Sequence, residues 1–311
     1  MKAYVGVTDG DWYRFLAARP GLTEVNFWRP AGSRAFRALS AGEPFIFKTH
    51  HPHNRVIGGG FFSGFAQLRI SEAWSLFGDG NGVPSLAEMR RIVGRYRREP
   101  IAAADDPVIG CVLLRDTVFF PADRPSEPPP EFASNIVQGK GYDLAARNSA
   151  GYFEVLIGRL LGAPVDVDFS QPWHRPGPTY GDPRLSPHRL GQQAFKAVVL
   201  NAYGRRCAIT GDRIQPVLQA AHVKPLPAGG EHRIDNGMLL RSDVHTLYDQ
   251  GYLAVDPKHR LLVSPRLRAE FGNGEQFYSR AGTQIEVPAA VRERPHREFL
   301  EWHLDEVFKA A

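Results

Sequence analysis

Four side chains in the last third of the chain have the types and the spacing for hydrolytic chemistry: His222, Asn236, His245 and Asp249. Cutting a phosphodiester takes a base to activate water and a cation to stabilise charge on the phosphate and the leaving oxygen. It also takes basic side chains to hold the backbone in place. Histidine suits the base, because its unperturbed pKa lies near neutrality, and His222 is the candidate. His245 and Asp249 are four residues apart, so on a helix they share one face. One imidazole and one carboxylate on a common face make a candidate site for a divalent metal. Asn236 lies 14 residues after His222 and 9 before His245, in the stretch that must join a strand to that helix.

The elements that would position these groups read as strand, turn, strand, helix. Cys207-Ala-Ile-Thr-Gly-Asp212 leads to Gln219-Ala-Ala-His222-Val-Lys-Pro225. Asp235-Asn-Gly-Met-Leu-Leu-Arg241 follows, then Ser242-Asp-Val-His-Thr-Leu-Tyr-Asp249. Ser242 or Asp243 would cap the helix at its N-terminus, and Gly251 would end it. A further helix over Arg189–Ala202 leads in.

His222, Asn236 and His245, in that order and spacing, resemble the signature of the HNH (ββα-metal) endonucleases. The surrounding Ala202-Tyr-Gly-Arg-Arg-Cys-Ala-Ile-Thr-Gly, Ala221-His-Val-Lys-Pro and Leu240-Arg-Ser-Asp-Val-His resemble the HNH domains fused to bacterial restriction enzymes. The likeness covers roughly residues 185–305. It implies that His222 is the general base and His245 a metal ligand. Asp249 takes the place of a last histidine carried by some members. Asn236 steadies the loop or binds the metal. One divalent ion is implied, Mg²⁺ or Mn²⁺ by the hardness of a carboxylate, with Ni²⁺, Co²⁺ or Zn²⁺ also suited to a His/Asp pair. Two departures stand out. Many members carry Asp or His just before the base histidine, where this chain has Ala221, so the third protein ligand is open. Many also carry paired C-x-x-C knuckles, whereas Cys207 is followed three residues on by Thr210. No structural zinc is expected, and Cys207 reads as a small buried hydrophobe.

Double-stranded DNA is the partner this chemistry implies. The net charge of +5 and pI near 9.3 permit a polyanion without requiring one. From Arg184 to Gly211 the chain carries Arg184, Arg189, Lys196, Arg205 and Arg206 and no acidic residue. Arg189, Arg205, Arg206, Lys224, Arg241 and Lys48 are the expected phosphate contacts, the kind that supply most non-specific affinity. A second basic cluster, Arg90, Arg91, Arg95, Arg97 and Arg98, is offset by Glu88 and Glu99.

Composition excludes other classes. Hydrophobic residues make up 43% and charged residues 23%, as in ordinary globular proteins. No apolar run approaches the roughly 18–20 residues that span a bilayer. Met1 to Val7 reaches Asp9 and Asp11 too soon for a signal peptide. Two cysteines, Cys111 and Cys207, give no disulfide framework. A cytoplasmic location is the expectation, with no membrane partner.

Residues 1–122 mix short strands and helices. Tyr4–Val7, Glu43–Thr49, Val56–Phe62, Val108–Leu114 and Val118–Phe120 read as strands. Asp11–Ala18, Ser71–Phe77 and Ser85–Arg98 read as helices. Five prolines between Pro121 and Pro130 cannot continue a helix or an inner strand. A helix is expected over Ala150–Leu161, and 171–187 reads as a linker or arm.

Val25-Asn-Phe-Trp-Arg-Pro30, Ser33–Leu39, Gly42–Lys48 and Val56–Gly60 resemble the opening of a PUA-like domain of the EVE type. That likeness implies a small β-barrel with helices, and a pocket like that of the related SRA and YTH folds, where a modified base taken out of the stack is received. A flipped base needs ring faces to stack on and polar groups for its edge. Asn26, Phe27 and Trp28 offer both in one run, and Trp74 with Phe77, three apart, is a candidate second wall. Lys48, His50 and His51 close a strand and are candidates for phosphate or for plain surface.

The fold class expected is therefore α+β: a PUA-like (EVE-like) modified-base reader over 1–122, a proline-rich and helical linker over 123–185, and an HNH endonuclease domain over 186–311. The function expected is modification-dependent restriction, with modified cytosine as the base read. Alternatives are an HNH nuclease that reads a phosphorothioate backbone or no modification, and a catalytically weak DNA-binding protein, for which Ala221 is the best support. One HNH site cuts one strand, so a double-strand break implies a homodimer or two visits.

Overall fold

The computed structural model describes residues 1–32, 35–102, 104–133, 135–146, 150–162 and 191–310. They form two compact units, Met1–Ala194 and Phe195–Ala311. The expected arm at 171–187 and Arg189 lie outside the described residues. Among the described residues no helix is long and apolar enough to cross a membrane.

In the first unit the elements run β1 (Lys2–Thr8), α1 (Gly10–Ala17), β2 (Glu24–Arg29), β3 (Pro44–Thr49), β4 (Val56–Arg69), α2 (Ile70–Phe77), α3 (Leu86–Arg97), β5 (Val108–Phe119), β6 (Gly139–Asp143) and α4 (Ala150–Leu161). The six strands make one sheet in the order β2-β5-β4-β3-β1-β6. Only β1 and β3 pair in parallel. The sheet curls far enough that the Phe27 ring of β2 lies against Gly6 of β1, where an added Cβ would come 3.2 Å from it.

Side chains alternate across a strand, and here both faces are covered. On one face Ala3, Val5, Ile46 and Phe61 meet Phe153, Leu156, Ile157 and Leu160 of α4. On the other, Phe45, Phe47, Val112 and Leu114 meet Trp12 and Leu16 of α1. This is why β3 reads as an unbroken apolar run rather than an alternating one. In β4, Gly58 takes φ +147°, and a Cβ there would clash with the Val118 carbonyl. The pairing with β5 slips nearby, between Gly59 and Phe61.

The first unit runs past the proline-rich stretch expected to close it. β6 adds an edge strand beside β1, with Tyr4 opposite Gly141, and α4 supplies half of one core. The β6 sequence, Gly-Lys-Gly-Tyr-Asp, has no apolar alternation to betray it. The two strands expected at 108–114 and 118–120 are one continuous β5, carried through Arg115-Asp116-Thr117 by pairing with the long β4.

The second unit begins in α5 (Gln192–Ala202) and continues with β7 (Leu218–His222), β8 (Gly237–Arg241), α6 (Ser242–Asp249), β9 (Leu253–Val255), β10 (Leu261–Val263), α7 (Pro265–Phe271), α8 (Glu275–Tyr278) and α9 (Arg297–Glu306). β7 and β8 pair antiparallel, with His222 opposite Gly237 and Leu218 opposite Arg241. The α6 N-cap is Arg241, one residue before the expected serine. Gly251 follows α6 at φ +74°, where any Cβ would strike the Val307 carbonyl.

Candidate functional site

The hairpin and helix of the second unit bring the expected residues together. His222 closes β7, Asn236 stands just before β8, and His245 and Asp249 ride on α6. His245 Nε2 faces Asp249 Oδ2 at 3.3 Å. The other ring nitrogen, Nδ1, lies 2.8 Å from Gln219 Oε1. A carboxamide oxygen only accepts, so Nδ1 carries a hydrogen, and in the neutral ring Nε2 presents a lone pair. A lone pair and a carboxylate oxygen thus face each other, an arrangement that a cation between them, a proton or a metal ion, would stabilise. Burial raises the Asp249 carboxyl above its ordinary value, and His245 works against that shift. Among the described residues no third His, Cys, Asp or Glu joins this pair. Ala221, just before the base histidine, is fully buried, and its side chain has no donor atom.

His222 is half-buried and packed. Burial, with smaller contributions from His232 and His245, lowers its pKa to about 4, so the ring is neutral at neutral pH. Asn236 is fully buried, and its amide is spent on backbone: Oδ1 accepts from Lys224 N at 2.8 Å, and Nδ2 donates to the Lys224 and Glu231 carbonyls at 2.9 Å each. It pins the loop after His222, and both of its amide hydrogens are committed to backbone.

The expected phosphate contacts fare differently. Lys224 has its backbone held by Asn236, and its ammonium lies 5.4 Å from the Trp302 ring. Arg205 and Arg206 are half-exposed in the turn after α5. Arg241 is committed: it grips Asp243 with Nε and Nη2 at 2.6 and 2.8 Å and also pairs with Asp212. Its backbone amide donates to Cys207 Sγ at 3.3 Å. In this arrangement it braces the start of α6. Lys48 is 2% exposed and donates to the Thr49 carbonyl at 3.0 Å, beneath Phe132. Both faces of β3 are covered, so Lys48 is buried and does not present its ammonium at the surface.

The first unit holds a cavity of about 480 Å³ in the opening between β1 and β2, walled also by α1 and α3. Rings dominate its lining, among them Tyr4, Trp12, Phe27, Trp28, Phe45 and Tyr96. Asp9, Arg95, His50 and Gln138 add polar atoms. Trp28 Nε1 donates to the Asn81 carbonyl at 3.0 Å, which fixes the indole at the rim. Asp9 accepts from Tyr96 OH at 2.7 Å and Arg95 at 3.2 Å. Burial pushes the Asp9 carboxyl up, but Tyr96, the Asp11 amide and Arg95 outweigh it, and the net shift is downward.

Of the four residues proposed for a base pocket, Phe27 and Trp28 line this cavity and Asn26 and Trp74 do not. Asn26 is fully buried and bonded to Asn81 Oδ1 at 2.9 Å. Alternation along β2 puts its side chain with Cys111, away from Phe27. Trp74 sits on α2, which packs elsewhere. Nothing local in the sequence marks Asp9, Trp12, Arg95 and Tyr96 as one group, because they come together only in three dimensions. Near His222, His232 and Phe195 are marked little better. His232 lies ten residues on, in a loop that contains Gly229 and Gly230, and that histidine spacing is its one signal in the sequence.

Residues 207–256 match the family model described as HNH endonuclease (HNH_2). They form an HNH endonuclease domain. The chain is therefore a metal-dependent DNA endonuclease, with β7, β8 and α6 carrying the signature of this HNH domain. Solved structures show two further similarities. An ASCH protein from Zymomonas mobilis is 15% identical over 40% of this chain and 73% of its own, with a TM-score of 0.28. The modification-dependent restriction endonuclease TagI is 13% identical over 98% of this chain and 81% of its own, with a TM-score of 0.27. No curated protein matches the chain.

Proposed function

We propose that this is a modification-dependent restriction endonuclease in which the HNH unit cuts DNA and the cavity of the first unit receives a flipped modified base. For the cutting unit, the supporting observation is His245 Nε2 set 3.3 Å from the Asp249 carboxylate while Nδ1 is tied to Gln219. That donor set fits a divalent ion. Mg²⁺ or Mn²⁺ suits the carboxylate, and Ni²⁺, Co²⁺ or Zn²⁺ suits the imidazole. When bound, the ion supplies charge stabilisation at the scissile phosphate and the leaving oxygen.

The remaining work falls to the chain. His222, neutral because it is buried, accepts a proton from the attacking water. Asn236 holds the loop that carries His222 and Lys224. Lys224, Arg205 and Arg206 meet the phosphate backbone. A single site of this kind cuts one strand, so a double-strand break takes two copies of the chain or two encounters.

For the reading unit, the supporting observation is a ring-walled cavity of about 480 Å³ with a few polar atoms on its wall. That is the surface a base out of the stack requires. Trp12, Phe27 and Trp28 offer stacking faces. Asp9 and Arg95 offer an acceptor and a donor to a base edge. Modified cytosine is the base proposed.

The test offers the full-length protein, with Mg²⁺ or Mn²⁺, two plasmids identical except for modified cytosine. Cleavage of the modified plasmid alone, stopped by EDTA, is the expected result. Equal cutting of both removes the reader, and activity that persists in EDTA removes the metal assignment.

A further inference from the structure

His222 is held from two sides. The Phe195 ring lies parallel to it, with centroids 4.2 Å apart and planes 6° from parallel. Gly237, directly across the hairpin, leaves room for that ring: a Cβ there would come within 3.0 Å of it. On the edge of His222, Nε2 lies 3.0 Å from Nδ1 of His232. The stack fixes the plane of the imidazole, and the edge contact fixes which nitrogen is engaged. Nδ1 is then the nitrogen left to meet water.

Two ring nitrogens facing each other share one hydrogen. If it belonged to His232, His222 would carry its own hydrogen on Nδ1 and could accept nothing there. If it belongs to His222, Nδ1 is bare. The chemistry also decides the direction of the bond at the moment it matters. The attacking water gives its proton to Nδ1 of His222 while its oxygen forms the new bond to phosphorus. The bond from phosphorus to the leaving oxygen breaks, and that oxygen takes a proton from solvent. His222 now carries hydrogen on both nitrogens, so its Nε2–H must donate, and Nδ1 of His232 is there to accept.

We propose that His232 is the positioning residue of the base: its Nδ1 accepts the Nε2–H of His222, keeps Nδ1 of His222 bare, and steadies the imidazolium that forms. The role is that of the carboxylate in a Ser-His-Asp triad, where the wrong tautomer alone costs about 10⁴-fold. Here a neutral ring plays it. That suits the surroundings, since burial, with a smaller push from Lys196, also lowers the pKa of His232. This inference rests on His222 being the base.

The experiment compares nicking by full-length His222→Ala, His232→Phe and His232→Gln, together with binding of Mn²⁺ alone by each. Phenylalanine keeps a ring beside Phe195 and removes the acceptor. Glutamine loses the ring and restores an accepting oxygen. The expected result is a loss of kcat of about 10²-fold or more in His232→Phe with KM unchanged, recovery to within about tenfold in His232→Gln, and Mn²⁺ affinity unaltered in both. A purely structural role predicts the opposite order. The proposal is overturned if His232→Phe cuts at the wild-type rate, if folded His232→Gln is as inactive as His232→Phe, or if either loses Mn²⁺, which would make His232 a ligand. Should His232→Phe not fold, His232→Ala with added imidazole gives the same reading, and failure to rescue overturns the proposal. Failure of the base assignment looks different, because His222→Ala itself would then stay active.

Discussion

Around His222 most polar side-chain atoms have a set partner. Nε2 faces His232, Asn236 spends its whole amide on backbone, and His245 Nδ1 is tied to Gln219. Around Trp28 the arrangement is different. The cavity is walled by rings that pack edge-on, such as Trp12 on Phe27 at 5.5 Å and Trp28 on Tyr96 at 6.1 Å, with polar groups such as Asp9, Arg95 and Gln138 set among them. A proton transfer needs every nitrogen pinned, because an error of one tautomer stops it. Stacking needs only faces at a suitable distance. The first task is met within one hairpin and one helix. The second draws on β1, β2, α1, α3 and residues 137–138.

The sharpest way to separate the two regions is to remove the base. His222→Ala should cut nicking by about 10²–10⁴-fold, the usual worth of a general base, and leave DNA binding in place. A loss below about tenfold, well short of that range, would take His222 out of the role and leave the HNH unit without its pinned proton acceptor.

That contrast also explains what could be read in the sequence. His222, Asn236, His245 and Asp249 were legible because 14- and 9-residue spacings and an i,i+4 pair are local properties. The long strands were legible where the core is dense, as in Phe45-Ile46-Phe47. Asp9, Tyr96 and Arg95 were not, because 86 or more residues separate the partners that meet in the cavity. Lys48 and Asn26 misled for one reason: each is a polar residue in a sheet covered on both faces, where neither side of the strand reaches solvent. β6 was hidden because an edge strand rich in glycine makes its bonds through backbone.

Next in size is the reader. Trp28→Ala should cost about 1–3 kcal/mol in binding to DNA that carries the modified base, the value of one base–aromatic stack. Nicking of unmodified DNA should stay as it was. Equal binding losses on modified and unmodified duplexes would reduce the cavity to a docking surface.

A smaller effect separates the regions by pH. Burial lowers His222 to about 4 and His303, stacked on Tyr248, to about 4. An unfolded histidine titrates near 6.5. Between those values the unfolded chain binds more protons than the folded one, so stability rises with pH across that window. The HNH unit should thus weaken progressively as pH falls from about 6.5 and be weakest below about 4. Urea titrations at pH 7 and pH 5, followed by a probe in each unit, would measure this. A pH response confined to the first unit would contradict it.

The smallest effect concerns phosphate contacts. Each phosphate neutralised by a lysine or arginine contributes about 0.9 to the slope of log affinity against log salt on duplex DNA. Arg206 is half-exposed beside the HNH hairpin, so Arg206→Ala should lower that slope by about 1 without changing preference for sequence or modification. Lys48 is 2% exposed, with its ammonium on the Thr49 carbonyl and beneath Phe132. An ammonium in that place cannot release a counterion from DNA. Lys48→Met should therefore leave the slope unchanged, although the sequence alone ranked the two residues together. Affinities measured by fluorescence anisotropy across a salt series would decide it. A slope reduced equally in both variants would mean that Lys48 swings out to the backbone on binding, and that the first unit grips phosphate as well as a base.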